Sequence, residues 1–271
     1  MTQSEKASRF QALHRRDGVF LIPNPWDPGS ARVLAGLGFE ALATSSAASA
    51  ATLGRRDGNL SRAEALAHAL AVVNATELPV SGDLERGFQD SPEGVAETVR
   101  LAGEAGLVGC SIEDATGRSE TPLYEIQHAV DRIQAAVAAA RSLSFPFTLT
   151  ARAETFVNGR PDLGETIKRL QAYEQAGADV LFAPGLPDLA AVRTVCSSLS
   201  RPVNFMVGIR GKSFSVAELA DAGVKRISFA ASLYRAAMTG LIKAATEARE
   251  KGTFGYLETT LLGPEIVRFL S

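Results

Sequence analysis

The chain has two cysteines and three histidines in 271 residues, and a formal net charge of only -2. Each scarcity excludes something. Cys110 and Cys196 make neither a disulfide framework nor the paired spacing of a zinc site, so both read as small core hydrophobes. His14, His68 and His128 fall in stretches with helical periodicity, which argues against a histidine general base or metal ligand. An even mixture of charge signs offers nothing to a nucleic acid or a membrane surface and leaves a small anionic metabolite as the expected partner. Met1-Thr2-Gln3-Ser4-Glu5-Lys6 has no basic start leading into an apolar core, and no later apolar run approaches membrane-spanning length, so a cytoplasmic protein is expected. No Gly-rich dinucleotide fingerprint follows the first strand-like run, which weakens an open doubly wound sheet. No lysine ends the sixth such run, which weakens a Schiff-base aldolase.

What is present is a repeated phrase. With 46% hydrophobic residues the chain can fill one large core, and a single domain over residues 1–271 is expected. Short β-branched or apolar runs alternate with amphipathic stretches of three turns or more. Strands are expected near Val19 to Pro23, Ala41 to Ser46, Pro79 to Glu85, Gly109 to Asp114, Thr148 to Glu154, Val180 to Gly185, Val203 to Gly208 and Arg226 to Ala231. Ser61 with Glu64 forms a capping box, and Ser91-Pro92 starts another helix. Gly38, Gly106, Gly177 and Gly223 sit where helices ending before strands two, four, six and eight need a left-handed cap. Eight such βα units predict a (β/α)8 TIM-type barrel whose active site lies at the C-terminal strand ends. Outside it stand an N-terminal helix within residues 1–18 and an apolar C-terminal helical extension over 252–271. That extension packs either across the barrel's own helices or onto a second subunit.

The strand ends carry unusual acids. Asp83 and Glu85 flank Leu84, and strand alternation would turn both toward the pocket. Glu113, beside Asp114, closes strand four. Carboxylates in strand interiors are costly without a cation to face, and an all-oxygen donor set with room for water suits Mg2+, with Mn2+ as an alternative. A salt-bridge network through Arg86 and Arg152 is the other reading of the same acids. Arg152, ending strand five, either forks onto an anionic substrate group or neutralises Glu113 or Glu154. Thr44-Ser45-Ser46-Ala47 reads equally as an anion cradle or as a tight turn needing small side chains. Asp57, in Asp57-Gly58, reads on its own as a solvated turn residue.

The ordered segments Asn24-Pro25-Trp26-Asp27-Pro28-Gly29-Ser30-Ala31-Arg32, Thr44-Ser45-Ser46, Gly82-Asp83-Leu84-Glu85-Arg86-Gly87-Phe88, Ile112-Glu113-Asp114 and Ala151-Arg152-Ala153-Glu154 together resemble the isocitrate lyase / phosphoenolpyruvate mutase superfamily. The resemblance spans nearly the whole chain. It implies a (β/α)8 barrel, Mg2+, a 2-oxo acid or enolate substrate, and a tetramer built by swapping C-terminal helices. It implies Asp83 as the direct metal ligand, with Glu85 and Glu113 acting through bound water. Ser45, Ser46 and Ala47 would hold the substrate carboxylate, Arg152 its far end, Asn204 would contribute to the substrate site, and Asp57 would sit over the ligand. The segment Ala115 to Pro122 lacks the Cys, Lys and His of the isocitrate-lyase loop and the Lys and Asn of the phosphonomutase loop. Arg118 is the cation left there to close over a ligand. The resemblance thus implies Mg2+-dependent carbon-carbon cleavage, as in a lyase or decarboxylase, with carbon-phosphorus chemistry and a non-catalytic metal and oxo-acid binding barrel as alternatives.

Overall fold

A computed structural model describes residues 1–270. Helix α1 (Gln3–Arg15) precedes β1 (Phe20–Ile22), α2 (Pro28–Gly36), β2 (Leu42–Ala43), α3 (Ser46–Thr52), α4 (Arg62–Asn74), β3 (Val80–Asp83), α5 (Pro92–Glu104), β4 (Gly109–Glu113) and α6 (Ile126–Ser142). Then come β5 (Thr148–Arg152), α7 (Leu163–Gln175), β6 (Val180–Phe182), α8 (Leu189–Ser197), β7 (Val203–Met206), α9 (Val216–Asp221), β8 (Arg226–Ser228) and α10 (Ser232–Lys251). A 3-10 turn (Gly255–Thr259) and α11 (Gly263–Val267) complete the chain. The eight expected strands are all present and parallel, in the order β1-β8-β7-β6-β5-β4-β3-β2, which is a (β/α)8 barrel. The four glycines expected to cap helices all have positive φ, between 86° and 100°.

The barrel closes at its β1/β2 seam without a regular ladder. Ala43 N–H donates to Pro23 O at 3.1 Å, and the Asn24 side chain does the rest. Its Nδ2 donates to Thr44 O at 2.8 Å, while its Oδ1 accepts from Phe229 N–H at 2.8 Å on the β8 side. One amide therefore ties three strand ends together.

Strand alternation sorts the two faces. Cys110, Ile112, Leu149, Ala151, Leu181, Phe205 and Ile227 point outward into the helix layer and are buried in the main core. The inward positions are mostly polar: Ser81 and Asp83, Ser111, Arg152, Asn204, Arg226 and Ser228 line the barrel cavity, with Ile22, Phe182 and Met206 as its apolar part. Cys110 is fully buried among apolar side chains, as expected of a core residue.

Helix α1 plugs the opposite, N-terminal end. Phe10, His14 and Phe20 meet edge to face, with centroids 4.7 to 6.4 Å apart. Gly109 is required beneath them, because a Cβ there would stand 3.1 Å from Phe10 Cε1 and 2.6 Å from Thr148 O. His14 is buried, with Nδ1 2.8 Å from Phe10 O and Nε2 3.3 Å from Arg226 Nη1. A guanidinium only donates, so Nε2 accepts and Nδ1 carries the proton. Burial first, then the Arg226 charge, lowers the His14 pKa from 6.5 to about 3. Below pH 6.5 the unfolded chain gains a proton that the folded chain refuses, so stability is lost as pH falls from there toward 3. Urea midpoints between pH 7 and 4 should fall less steeply for His14→Gln, which keeps an acceptor but does not titrate. Equal slopes in both proteins would place the acid sensitivity elsewhere.

Helix α10 and the C-terminal extension after it behave differently from the other helices. None of the 20 residues of α10 is buried, and Leu241, Ile242, Phe254, Leu257, Leu261, Leu262 and Val267 are all more than half exposed. The tip does return to its own barrel: Phe269 lies against Gly36, and Arg32 Nη1 donates to Leu270 O at 2.5 Å. Packing across the chain's own helices therefore accounts for the tip and not for the rest. Among the described residues no helix is long and apolar enough to cross a membrane.

Candidate active site

The small residues after β2 wrap around Asp83. Thr44 Oγ1 accepts from the Asp83 backbone N–H at 2.9 Å, and Ser46 N–H donates to Asp83 Oδ2 at 3.0 Å. Ser111 Oγ donates to Oδ1 at 3.3 Å, which fixes the carboxylate from two sides while it still lines the cavity. This alters the expected anion cradle. Ser45 lines the cavity, but its hydroxyl caps α3 by accepting from Ala48 N–H at 3.4 Å. The Ser46 N–H serves Asp83, and Ala47 lies in the first turn of α3.

Arg152 lies in the middle of the acids. Its Nη1 is 3.8 Å from Asp83 Oδ1 and 3.5 Å from Glu113 Oε2, and its Nε donates to Glu154. The guanidinium carbon stands 5.0 Å from the Phe182 ring centroid, a second favourable contact. Burial alone would lower the Arg152 pKa, but Glu154, Glu113 and Asp83 together outweigh it and hold the group protonated. Burial raises Glu113 well above the ordinary carboxylate range despite the nearby Arg152, and raises Glu154 as well. The neutralising role considered for Arg152 is thus realised in this arrangement, and its place in the cavity wall leaves it open to a ligand as well.

Glu85 corrects the expectation that Asp83 and Glu85 alternate along one strand. β3 ends at Asp83, Leu84 is buried, and Glu85 adopts a left-handed backbone with φ 49°. A non-glycine residue there is strained, and such strain gathers at functional sites. Its carbonyl is held by Glu113 N–H at 3.0 Å. Burial first, then the charges of Asp83 and Asp57, raises its pKa to about 7. Asp57 sits in an exposed turn outside the cavity wall, where its Oδ1 accepts from Gly58 N–H. Arg118 is not among the cavity residues: it lies 3.4 Å from Asp90 across the loops after β4 and β3, both side chains 57% exposed.

Asn204 is 2% exposed and lines the cavity. Its Nδ2 donates to Ser228 Oγ at 3.0 Å and its Oδ1 accepts from Arg226 Nε at 2.8 Å. Arg226 went unnoticed in the sequence, where it opens an expected strand directly after Lys225. Its inward parity was readable, but its burial was not. Arg132 also went unnoticed. From α6 it donates to Arg86 O, to Gln89 O at 3.2 Å and to Glu113 O at 3.2 Å, clamping the β3 loop to the β4 end.

The cavity encloses about 50 Å3 of accessible space, room for a few waters or a very small ligand, and opens outward at the mouth. Among the described residues no three acidic, histidine or cysteine side chains are gathered as a closed metal cage. The wall instead offers one acid, Asp83, with two guanidinium groups and several amide and hydroxyl donors.

A parallel barrel with fixed charged groups converging at its C-terminal strand ends defines an enzyme of the (β/α)8-barrel class. The family model for phosphoenolpyruvate phosphomutase matches residues 10–249. The chain belongs to this family, within the isocitrate lyase / PEP mutase superfamily of enzymes. A crystal structure of a provisionally named lyase/mutase from Burkholderia cenocepacia superposes with a TM-score of 0.97 at 52% identity, covering 99% of this chain and 96% of that one. Oxaloacetate decarboxylase from Ectopseudomonas mendocina is 31% identical over 206 residues, 73% of this chain and 69% of that protein. 2-Methylisocitrate lyase from Halalkalibacterium halodurans is 28% identical over 264 residues, 93% of this chain and 85% of that protein.

Proposed function

We propose that the chain is a Mg2+-dependent enzyme that cleaves a carbon-carbon bond next to a 2-oxo acid, as a lyase or decarboxylase. The observation that carries this reading is Asp83, fixed by Ser46 and Ser111 with its carboxylate in the cavity wall and with Glu113 across Arg152 from it. Mg2+ is ordinarily held by one or two carboxylates, waters and ligand oxygens, so a site without a three-acid cage fits it, and Mn2+ would share the same donors. When bound, the ion supplies Lewis-acid stabilisation of developing enolate charge. Asp83 would hold it directly, and Glu85 and Glu113 through water. Arg152 would grip an anionic end of the substrate, while Ser45 and Asn204 orient the other. Burial raises the Glu85 pKa to about 7 with no ion bound, and a bound Mg2+ would favour its carboxylate form. The names of the decarboxylase and methylisocitrate lyase relatives support the substrate class.

Carbon-phosphorus chemistry is the second reading, favoured by the matching family model. Against it stands the loop after β4, whose Arg118 is engaged by Asp90 and whose Ala115 pairs with Leu123. Release of pyruvate should be measured from a panel of 2-oxo and 2-hydroxy diacids and, in parallel, from phosphonopyruvate. Turnover of phosphonopyruvate with silence on every diacid would reverse the order of the two readings. Mg2+-dependent oxalate binding with no turnover of any compound would instead favour a non-catalytic barrel.

The exposed apolar surface of α10 and the segment after it is assigned to a second copy of this chain, giving a dimer or tetramer. Sedimentation should show an oligomer at micromolar concentration and a smaller species after deletion of residues 252–271. A monomeric full-length chain would sink this assignment.

A further inference from the structure

The cavity floor carries a charge that the proposed reaction does not use. Arg226 is 5% exposed and lines the cavity from the first position of β8. Its Nε donates to Asn204 Oδ1 at 2.8 Å, its Nη2 to Thr150 Oγ1 at 3.0 Å, and its Nη1 faces His14 Nε2 at 3.3 Å. All three partners are neutral, His14 because it is buried beside this same cation. The contrast with Arg152 is direct, since that guanidinium has Asp83, Glu113 and Glu154 within reach. Burial is what acts on the ionisation of Arg226, and no carboxylate offsets it. An ion taken out of water without a counter-charge is among the costlier features a fold can keep. Three of its five N–H groups are engaged by these partners, and the residue lines the cavity with the other two unmatched by them.

We propose that Arg226 is the specificity-determining cation of this cavity: it favours dianionic over monoanionic ligands and fixes the amide of Asn204 that faces them. The proposal rests on the reading of the cavity as an oxo-acid site. Arg152 has three carboxylates within 3.8 Å, whereas Arg226 has none, so Arg226 adds a second cation to the cavity that no acid of the protein answers. Its hydrogen bond to Asn204 Oδ1 leaves the amide a single orientation, with Nδ2 toward Ser228 and the cavity. Through His14, helix α1 is the outer support of this floor.

Calorimetry of oxalate, a dianion, and pyruvate, a monoanion, in the presence of Mg2+ tests this on the wild type, Arg226→Met and Arg226→Lys. Arg226→Met should weaken oxalate by roughly 10- to 100-fold and pyruvate by about threefold or less. Arg226→Lys should keep the preference for oxalate while both affinities fall severalfold, because an ammonium cannot hold Asn204, Thr150 and His14 in one fork. Asn204→Ala should add little to Arg226→Met in a double-mutant cycle. An unchanged ratio of oxalate to pyruvate affinity in folded Arg226→Met overturns the proposal alone. Should that variant not fold, wild-type affinities in Arg226→Lys overturn it. Failure of the wild type to bind either ligand removes the oxo-acid reading itself, and this proposal with it.

Discussion

Asp83→Asn should abolish Mg2+-dependent oxalate binding and lower kcat/KM on any accepted substrate by at least about 1,000-fold, or ~4 kcal/mol of transition-state stabilisation. The side chain keeps its size, and an amide oxygen can still accept from Ser46 N–H or Ser111 Oγ, which now fix the carboxylate at 3.0 and 3.3 Å. What is lost is the negative charge at the one acid of the expected trio that lines the cavity. Glu113 and Glu85 do not line the cavity, so Glu113→Gln and Glu85→Gln should cost only about 10- to 100-fold, the range expected when a group acts on a metal through another ligand or water. The order of the three variants is the informative result. Isothermal titration with Mg2+ and oxalate reads it without requiring turnover. Oxalate affinity in Asp83→Asn equal to that of wild type would remove Asp83 as the metal ligand. A loss in Glu113→Gln exceeding that in Asp83→Asn would assign the ion to Glu113 as its direct ligand.

The barrel was readable from the chain because its punctuation is local. Gly38, Gly106, Gly177 and Gly223 each need a left-handed backbone to end a helix, and a glycine in that place says so without any tertiary knowledge. The acidic strand ends were readable for the same reason, since Asp83, Glu113 and Arg152 close strands at parities that turn them inward. Glu85 departs from the expected alternation because alternation holds only while the strand continues, and the chain leaves β3 after Asp83 and reaches Glu85 in a left-handed conformation. Arg226 and His14 are 212 positions apart and meet only because α1 folds under the barrel. Arg118 and Asp90 likewise meet across two loops, a pairing that neither loop announces by itself. Residues joined through space rather than along an element were what the sequence concealed, and they include the floor of the site.

Arg152→Met should be the most destabilising single change at the mouth in the absence of divalent cations, by about 3–5 kcal/mol, the usual cost of leaving a buried ionic partner uncompensated. Removing the guanidinium leaves Asp83, Glu113 and Glu154 facing one another without the cation that now lies within 3.8 Å of the first two and bonds the third. Glu113 and Glu154 already have raised pKa values, chiefly from burial, so without Arg152 they take up protons still more readily. The sign follows: the folded variant binds more protons than the unfolded chain above the ordinary carboxylate pKa, and its stability declines as pH rises through the raised values. Thermal melts in EDTA should therefore show a larger deficit relative to wild type at pH 8 than at pH 5.5. Mg2+ should restore part of that deficit at pH 8, because an ion held by Asp83 replaces some of the missing positive charge, and the double variant Asp83→Asn/Arg152→Met should lose that rescue. Wild-type stability of Arg152→Met in EDTA at pH 8 would show that the acids are not held against one another by this residue. Stability restored by Mg2+ with oxalate affinity still reduced would separate the two roles of Arg152, since the ion can neutralise the acids but cannot reproduce a planar fork on a carboxylate.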